Sequence, residues 1–150
     1  MAISDPSEDV IIFALLAGSF ERLTGRPLVP EPELGAAWLY GQAPFAVLAH
    51  DGAHDPHFTY ANRAAQRCFE YGPDEIVGLP SRLSAEAGDR AERQRVLDAV
   101  ARDGFVCGYC GIRIAKSGRR FRIADVTIWQ LIDTDGTVRG QAARFPVPTD

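Results

Sequence analysis

Histidines and aspartates alternate over a short stretch of the chain, from His50 to His57. Imidazole and carboxylate groups are ligands of transition metals, so His50, Asp51, His54, Asp55 and His57 are a candidate metal site. Their spacing matches no rigid metal-binding template, and the glycine and proline between them are typical of a turn. We therefore expect a polar loop between two strands and no metal site.

The chain has 3 cysteines, and two of them, Cys107 and Cys110, form a Cys-x-x-Cys pattern. A redox pair needs both sulfurs together at a helix N-terminus, whereas this pattern lies in a predicted strand. Residues three apart in a strand point to opposite faces, so an intramolecular disulfide is disfavoured. We expect all three thiols, including Cys68 on a predicted helix, to be free.

The sequence also lacks a glycine-rich phosphate loop, a nucleophile elbow and a zinc motif, so no catalytic residue is predicted.

Arginines cluster around a predicted hairpin at Lys116–Gly118. They form either a solvated hairpin tip or an anion site, and they are Arg113, Arg119, Arg120 and Arg122. Arg113 is the member most able to face inward, and the length of the turn decides this. A two-residue turn places Cys110 and Ile112 on the face of Ile123. A three-residue turn with a glycine bulge places Tyr109 and Arg113 there instead.

The strand after this hairpin alternates so that one face carries Phe121, Ile123, Asp125, Thr127 and Trp129. If that face lines a cavity, Asp125 must pair with Arg113, bind a ligand, or have a raised pKa through desolvation. Alternatively the face points to solvent or a partner, and the intervening residues are buried. Both faces are apolar enough for either arrangement.

These residues are positioned by a predicted order of two strands, several short helices and three strands joined by hairpins. This order predicts an α+β fold with a five-stranded antiparallel sheet and short helices on one face. An amphipathic helix over Ser7–Thr24 and a proline-rich connector precede it, so residues 1–44 are an N-terminal extension and residues 45–150 the sheet domain. The apolar face of the helix packs either on the sheet or against a second subunit, through Ile12, Leu15, Leu16 and Phe20.

The composition and charge of the chain exclude several classes of function. The 150 residues include 16 Lys+Arg and 20 Asp+Glu, which gives a net charge of −4. This charge offers no electrostatic attraction to nucleic acid or anionic membranes. The apolar stretch near the N-terminus is too short to span a bilayer, and acidic residues stand where a signal peptide would be basic. We expect a cytoplasmic protein.

Several short motifs of the sequence resemble those of the PAS family of sensory domains. Thr59–Ala65 is similar to the PAS strand that ends in "YxN" before a helix, and Asp74–Gly78 is similar to the "xEIxG" turn. The MEKHLA group within that superfamily resembles the chain more closely, through Gly78–Arg82, Tyr109–Ile114, Ser117–Phe121 and Gly140–Ala143. The resemblance implies a PAS-like fold, the bulged hairpin turn and a sensing or interaction role. It implies no particular ligand.

Flavin-binding LOV domains are a further PAS branch, and their reactive cysteine falls at Ser81 in this chain. The resemblance therefore implies no cysteinyl photochemistry, because a hydroxyl lacks thiolate reactivity. The next LOV arginine is matched by Arg82, whereas the other phosphate-binding arginine falls near Leu97. The two asparagines that LOV domains carry on their strands fall near Arg113 and Ile123 of this chain. Noncovalent flavin binding remains an alternative, and the cofactor is not identified.

We therefore predict a non-catalytic, standalone PAS-like sensor of the MEKHLA group that binds a small molecule. The predicted pocket residues are Asn62, Arg82, Tyr109, Arg113, Ile123, Asp125 and Trp129. The alternative is a module for protein interaction, either as a homodimer through the N-terminal helix or with a signalling partner.

Overall fold

The computed structural model describes residues 9–85 and 90–148. Its strands are β1 (Phe45–Asp51), β2 (Phe58–Ala61), β3 (Phe105–Ile114), β4 (Arg120–Ile132) and β5 (Val138–Pro146). They form one antiparallel sheet in the order β2-β1-β5-β4-β3. The predicted α+β fold with a five-stranded antiparallel sheet is confirmed.

The helices are α1 (Val10–Thr24), α2 (Ala36–Gly41), α3 (Arg63–Phe69), α4 (Pro73–Ile76) and α5 (Arg90–Asp103), with a short 3₁₀ helix at Ser81–Ser84. The segment from α3 to α5 connects β2 to β3 and covers one face of the sheet. Its core includes Phe69, Ile76 and Val100, packed on apolar strand residues such as Ile123 and Ile128. None of the helices in the described ranges is long and apolar enough to cross a membrane.

The opposite face of the sheet is covered by α1, α2 and the proline-rich connector. Asp9 caps α1 by accepting hydrogen bonds from the backbone N–H groups of Ile11 and Ile12, at 3.1 and 3.0 Å. An aspartate at this position satisfies amide groups that have no partner within the helix. The predicted start at Ser7 lies outside the described residues. The helix ends at Thr24, as predicted, and Gly25 follows it in the left-handed conformation.

Two of the four residues predicted for a dimer interface are buried within the chain itself. Leu16 is completely buried and Phe20 is 4% exposed, both against the sheet. The ring of Phe20 meets that of Trp129 edge to face at 4.9 Å, and the Trp129 indole N–H donates to the backbone oxygen of Leu16. Ile12 and Leu15 are only half-buried. The apolar face of α1 therefore packs mainly on its own sheet, because that face of the sheet needs a cover.

A β-bulge in β4 changes which residues share a face. Tyr109 pairs with Val126 and Gly111 pairs with Ile123, so one residue of β3 opposes two of β4. Asp125, within the bulge, has a φ of 55°. The extra residue shifts the alternation by one position, as bulges do. Phe121 and Ile123 thus face the α5 side, whereas the residues after the bulge change sides. The predicted common face of Phe121, Ile123, Asp125, Thr127 and Trp129 is wrong for this reason.

The hairpin between β3 and β4 has a three-residue turn. Ala115 donates its backbone N–H to the oxygen of Arg119, and Gly118 adopts a φ of 90°. A glycine in this conformation closes the three-residue hairpin loop without steric strain. The turn is the one that the family resemblance implied, and it places Tyr109 and Arg113 on the same face as Ile123.

Candidate functional site

A cavity of about 60 Å³ lies between the sheet and α5, and we call it the sheet cavity. All five strands contribute side chains to its lining, and α3, α5 and the 3₁₀ helix contribute the rest. Most of its wall is apolar, from residues such as Leu48, Phe58, Phe69, Val96, Leu97, Ile123, Val126 and Ile128. The polar side chains that reach it are few: His50, Ser84, Arg93, Tyr109, Arg113 and Gln141. Apolar walls with a few convergent polar groups are typical of small-molecule sites.

Arg113 on β3 is the most deeply buried charged residue of the wall, at 7% exposure. Its Nη1 donates to the backbone oxygen of Ile112 at 2.9 Å, and its Nη2 lies 3.4 Å from the hydroxyl of Tyr109. The guanidinium carbon is 5.6 Å from the centre of the Tyr109 ring. Both hydrogen-bond acceptors are neutral. Within the described part of the chain, no carboxylate pairs with Arg113.

Gly111 makes room for this pair. It lies between Tyr109 and Arg113 on the same face of β3, because side chains alternate along a strand. A Cβ atom at Gly111 would stand 2.6 Å from the Tyr109 hydroxyl and 3.1 Å from Nη1 of Arg113. The missing side chain therefore lets the phenol lean along the strand towards the guanidinium.

A second arginine reaches the cavity from α5. Nη2 of Arg93 donates to the hydroxyl of the buried Ser81 at 2.9 Å. Burial lowers the pKa of Arg93 to about 10, and the like charge of Arg113 contributes to the shift. Arg93 is still protonated at neutral pH. The cavity therefore holds two guanidinium cations close enough to repel each other.

His50 and Gln141, neighbours in the β1–β5 ladder, complete the polar lining. Nδ1 of His50 lies 2.8 Å from the backbone oxygen of Asp51, so Nδ1 carries the proton of the neutral ring. Burial lowers the pKa of His50, and the charge of Arg93 lowers it too. Gln141 donates its amide nitrogen to the backbone oxygen of Leu97 at 3.1 Å. Its Oε1 atom is buried and has no hydrogen-bond partner among residues 9–85 and 90–148.

The structure brings three of the seven predicted pocket residues together in the sheet cavity: Tyr109, Arg113 and Ile123. Asn62 is fully buried elsewhere and has a structural role. Its Oδ1 accepts from the backbone N–H groups of Val47 and Ala65, and its Nδ2 donates to the backbone oxygens of Leu39 and Phe45. The side chain thus caps α3 and ties β1 and α2 to that cap.

The other three predicted pocket residues also lie away from the sheet cavity. Arg82 is half-exposed and pairs with Asp55 at 3.2 Å. Trp129 is buried under α1, because the bulge in β4 turned it to the opposite face. Asp125 is exposed and lines an open groove on that opposite face, with Arg144 among its neighbours. Placing Asp125 and Trp129 in the cavity required uninterrupted alternation along β4.

Sequence reasoning missed Arg93 and did not place Gln141 in the predicted pocket. A signal for Arg93 was present in α5. It stands three, four and seven residues before Val96, Leu97 and Val100, so it continues their apolar stripe towards the sheet. No local pattern marks Gln141 as a buried residue without a partner for its oxygen. That property depends on how α5 crosses β5.

The other candidate chemistry does not assemble in the structure. No group of three or more metal-ligating side chains comes together within residues 9–85 and 90–148. Asp51 instead orders its own loop, because its Oδ1 accepts from the backbone N–H groups of Ala53 and His57. The cysteines are free, with Cys107 and Cys110 exposed and Cys68 buried.

Comparison with solved structures identifies the fold class. The PAS domain of a Colwellia psychrerythraea protein aligns with a TM-score of 0.66 at 16% identity, over 75% of this chain and 93% of that one. A light-oxygen-voltage domain studied with a flavin analogue aligns with a TM-score of 0.59 at 18% identity, over 70% of this chain and 78% of that one. The blue-light-activated histidine kinase EL346 of Erythrobacter litoralis gives 0.59 at 18% identity, over 75% of this chain but 35% of the kinase.

The fold is therefore that of a PAS domain. The family model of the MEKHLA domain matches residues 10–147, and the chain belongs to that family. The match includes α1 as well as the sheet. No curated protein matches the sequence.

The residues of the sheet cavity do not fit a flavin. Its volume of about 60 Å³ is well below the roughly 300–1,000 Å³ typical of pockets for drug-sized ligands. The resemblance places the phosphate-binding arginine of LOV domains near Leu97 and their two strand asparagines near Arg113 and Ile123. The cavity is lined there by two alkyl groups and a cation, and not by a second phosphate-binding arginine or by amide groups. Ser81, at the cysteine position, is held by Arg93.

Proposed function

We propose that this domain is a non-catalytic sensory module that binds a small molecule in the sheet cavity. One observation supports this most directly: an apolar cavity into which a few polar side chains converge, one of them with a buried oxygen that has no partner in the part of the chain that the structure describes. Buried polar atoms in native proteins almost always have hydrogen-bond partners. A bound molecule would supply the missing one.

The placement of the polar groups indicates how binding would be transmitted. Arg93 belongs to α5, whereas Tyr109, Arg113 and Gln141 belong to the sheet. A ligand that contacts both sides would fasten α5 to the sheet, and its release would leave the two guanidinium groups facing each other. Binding free energy would thus be converted into a change in how firmly α5 is held.

Native mass spectrometry of protein purified without denaturation tests this proposal. We expect a bound small molecule with the unmodified chain. We expect it to be lost in Ala143→Leu, because Ala143 lines the cavity and a larger side chain would fill it. Ala91→Leu is the matched control, since it makes the same change on an exposed part of α5. The proposal is contradicted if the chain has no bound species and no mixture of small molecules shifts its NMR resonances.

A second candidate function is protein interaction through the start of α1, either as a homodimer or with a signalling partner. The observation that favours it is the exposure of two large apolar residues there, Val10 at 68% and Ile11 at 81%. Sedimentation velocity separates this role from folding. Ile11→Asp should yield a folded monomer if α1 mediates association, whereas Leu16→Asp should unfold the chain because it buries a charge in the core. An oligomeric state that Ile11→Asp leaves unchanged counts against association through this end of α1.

A further inference from the structure

The two arginines of the sheet cavity present an unusual charge balance. Both guanidinium groups approach the same small space, and their hydrogen-bond acceptors there are neutral: a backbone oxygen, a phenol and a serine hydroxyl. No aspartate or glutamate occurs among the described residues of the lining. His50, in the same wall, adds no negative charge. The described lining therefore combines two positive charges with no negative one.

Such an arrangement is costly unless something neutralises it. A buried charge without a counter-charge loses its hydration, and a second like charge beside it adds repulsion. Guanidinium groups pair best with planar oxyanions, which can accept two parallel N–H donors. Each arginine has donors beyond those that the structure uses. The cavity is thus complementary in charge and in hydrogen-bond donors to an anion.

The arginines offer hydrogen-bond donors to a ligand, whereas Gln141 offers an acceptor. Its amide orientation is set by the backbone oxygen of Leu97, since only the nitrogen can donate to that carbonyl. Oε1 consequently points away as a buried acceptor to which no described residue donates. A ligand that satisfies the whole site has an oxyanion for the arginines and a hydroxyl or amino group for Gln141.

The size and wall of the cavity limit the ligand further. At 10–15 Å³ for each water-sized group, about 60 Å³ holds roughly four to six such groups. The rest of the wall is apolar, which favours a ligand with a carbon skeleton over a bare inorganic anion.

We propose that the sheet cavity binds a small organic carboxylate with a hydroxyl or amino substituent, held at its carboxylate by Arg93 and Arg113 and at its substituent by Gln141. This inference rests on the proposed function, since it names the class of ligand for the same cavity. Tyr109, whose hydroxyl accepts from Arg113, donates its own proton towards the ligand. Gly111 leaves the space that this hydroxyl occupies.

NMR titration of the ¹⁵N-labelled chain tests the proposal at constant ionic strength, because so small a ligand binds weakly. The probes are lactate, propionate, lactamide and inorganic phosphate. Propionate lacks the hydroxyl of lactate, and lactamide replaces its carboxylate by a neutral amide. We expect lactate to bind most tightly and to shift the side-chain signals of Arg93, Arg113 and Gln141. Losing a charge-assisted hydrogen bond weakens binding by about tenfold to a hundredfold, which is the deficit expected for lactamide.

Variants separate charge in the cavity from charge elsewhere. Arg113→Gln should weaken lactate binding by about tenfold to a hundredfold, whereas Arg113→Lys should retain part of it. Arg82→Gln is the matched control, since it removes the same charge from an exposed ion pair outside the cavity. Gln141→Leu should make lactate and propionate bind equally, without altering any charge. Dispersion of the amide signals reports whether each variant is folded.

Several results would overturn the inference. Lactamide that binds as tightly as lactate, phosphate that binds better than lactate, or an equal loss in Arg82→Gln would each contradict a carboxylate site. If lactamide binds and the anions do not, the cavity is a small-molecule site but its ligand class is wrong. If no probe shifts the cavity signals, the inference fails, and the native mass spectrum decides the proposed function separately.

Discussion

The bulge at Asp125 offers a direct test of how β4 is built. A residue other than glycine with a φ of 55° is uncommon, and the left-handed conformation costs an L-residue roughly 1–2 kcal/mol. Asp125→Gly removes that cost but lowers the stability by about 0.5–1 kcal/mol through the greater freedom of glycine in the unfolded chain. The difference predicts a net gain of between about 0 and about 1.5 kcal/mol. The β-branched Asp125→Val should lose at least about 1 kcal/mol.

Urea unfolding followed by circular dichroism measures both changes. A shift of 1 kcal/mol corresponds to about 2–4 °C in Tm for a chain of this size, so thermal melting provides a second measurement. Asp125→Asn is the control, because asparagine tolerates the left-handed conformation but removes the attraction between Asp125 and Arg144. We expect the order of stability Gly, then Asn and Asp, then Val. If Asp125→Val were as stable as the parent chain, this backbone conformation, and with it the change of face along β4, would be refuted.

Three further results are expected. Burial lowers the pKa of His50 in the folded chain, so the unfolded chain takes up a proton on this histidine first as the pH falls below about 6.5. His50→Gln should therefore reduce the fall in Tm between about pH 6.5 and 5. A fall in Tm equal to that of the parent chain would contradict this. Asn62→Ala should destabilise the fold by roughly 4 kcal/mol in urea unfolding, at about 1 kcal/mol for each of its buried hydrogen bonds, and a loss below 1 kcal/mol would exclude this role. A thiol reagent should modify Cys107 and Cys110 rapidly and Cys68 slowly, because Cys68 is buried and burial raises the pKa of its thiol; three equal rates would be inconsistent with the fold.

The side chains of the sheet cavity distinguish this chain from the PAS-like structures that share its fold. In this chain the PAS-like fold leaves a small cavity on one face of its sheet. The polar positions of the described wall hold two arginines, a tyrosine, a glutamine, a histidine and a serine. The likeness to light-sensing domains thus concerns the backbone, whereas the side chains specify different chemistry.

The sequence by itself determined the elements and their order. Hydrophobic periodicity, caps and turn residues are local signals, and they predicted the five strands. These signals left the length of the turn at Gly118 open, and the family resemblance implied the three-residue turn that the structure has. The links of Asn62 to Leu39, Phe45 and Val47 join segments distant in sequence and were not predictable.

Only the tertiary structure decided which side chains share the cavity. One bulged residue at Asp125 moved Trp129 to the far side of the sheet, because a strand that gains a residue exchanges its faces beyond that point. Arg93 entered the site because α5 lies across the sheet, and Gln141 lost a partner for its oxygen because Leu97 occupies its nitrogen. Such properties arise where segments distant in sequence meet, so periodicity within one segment does not contain them.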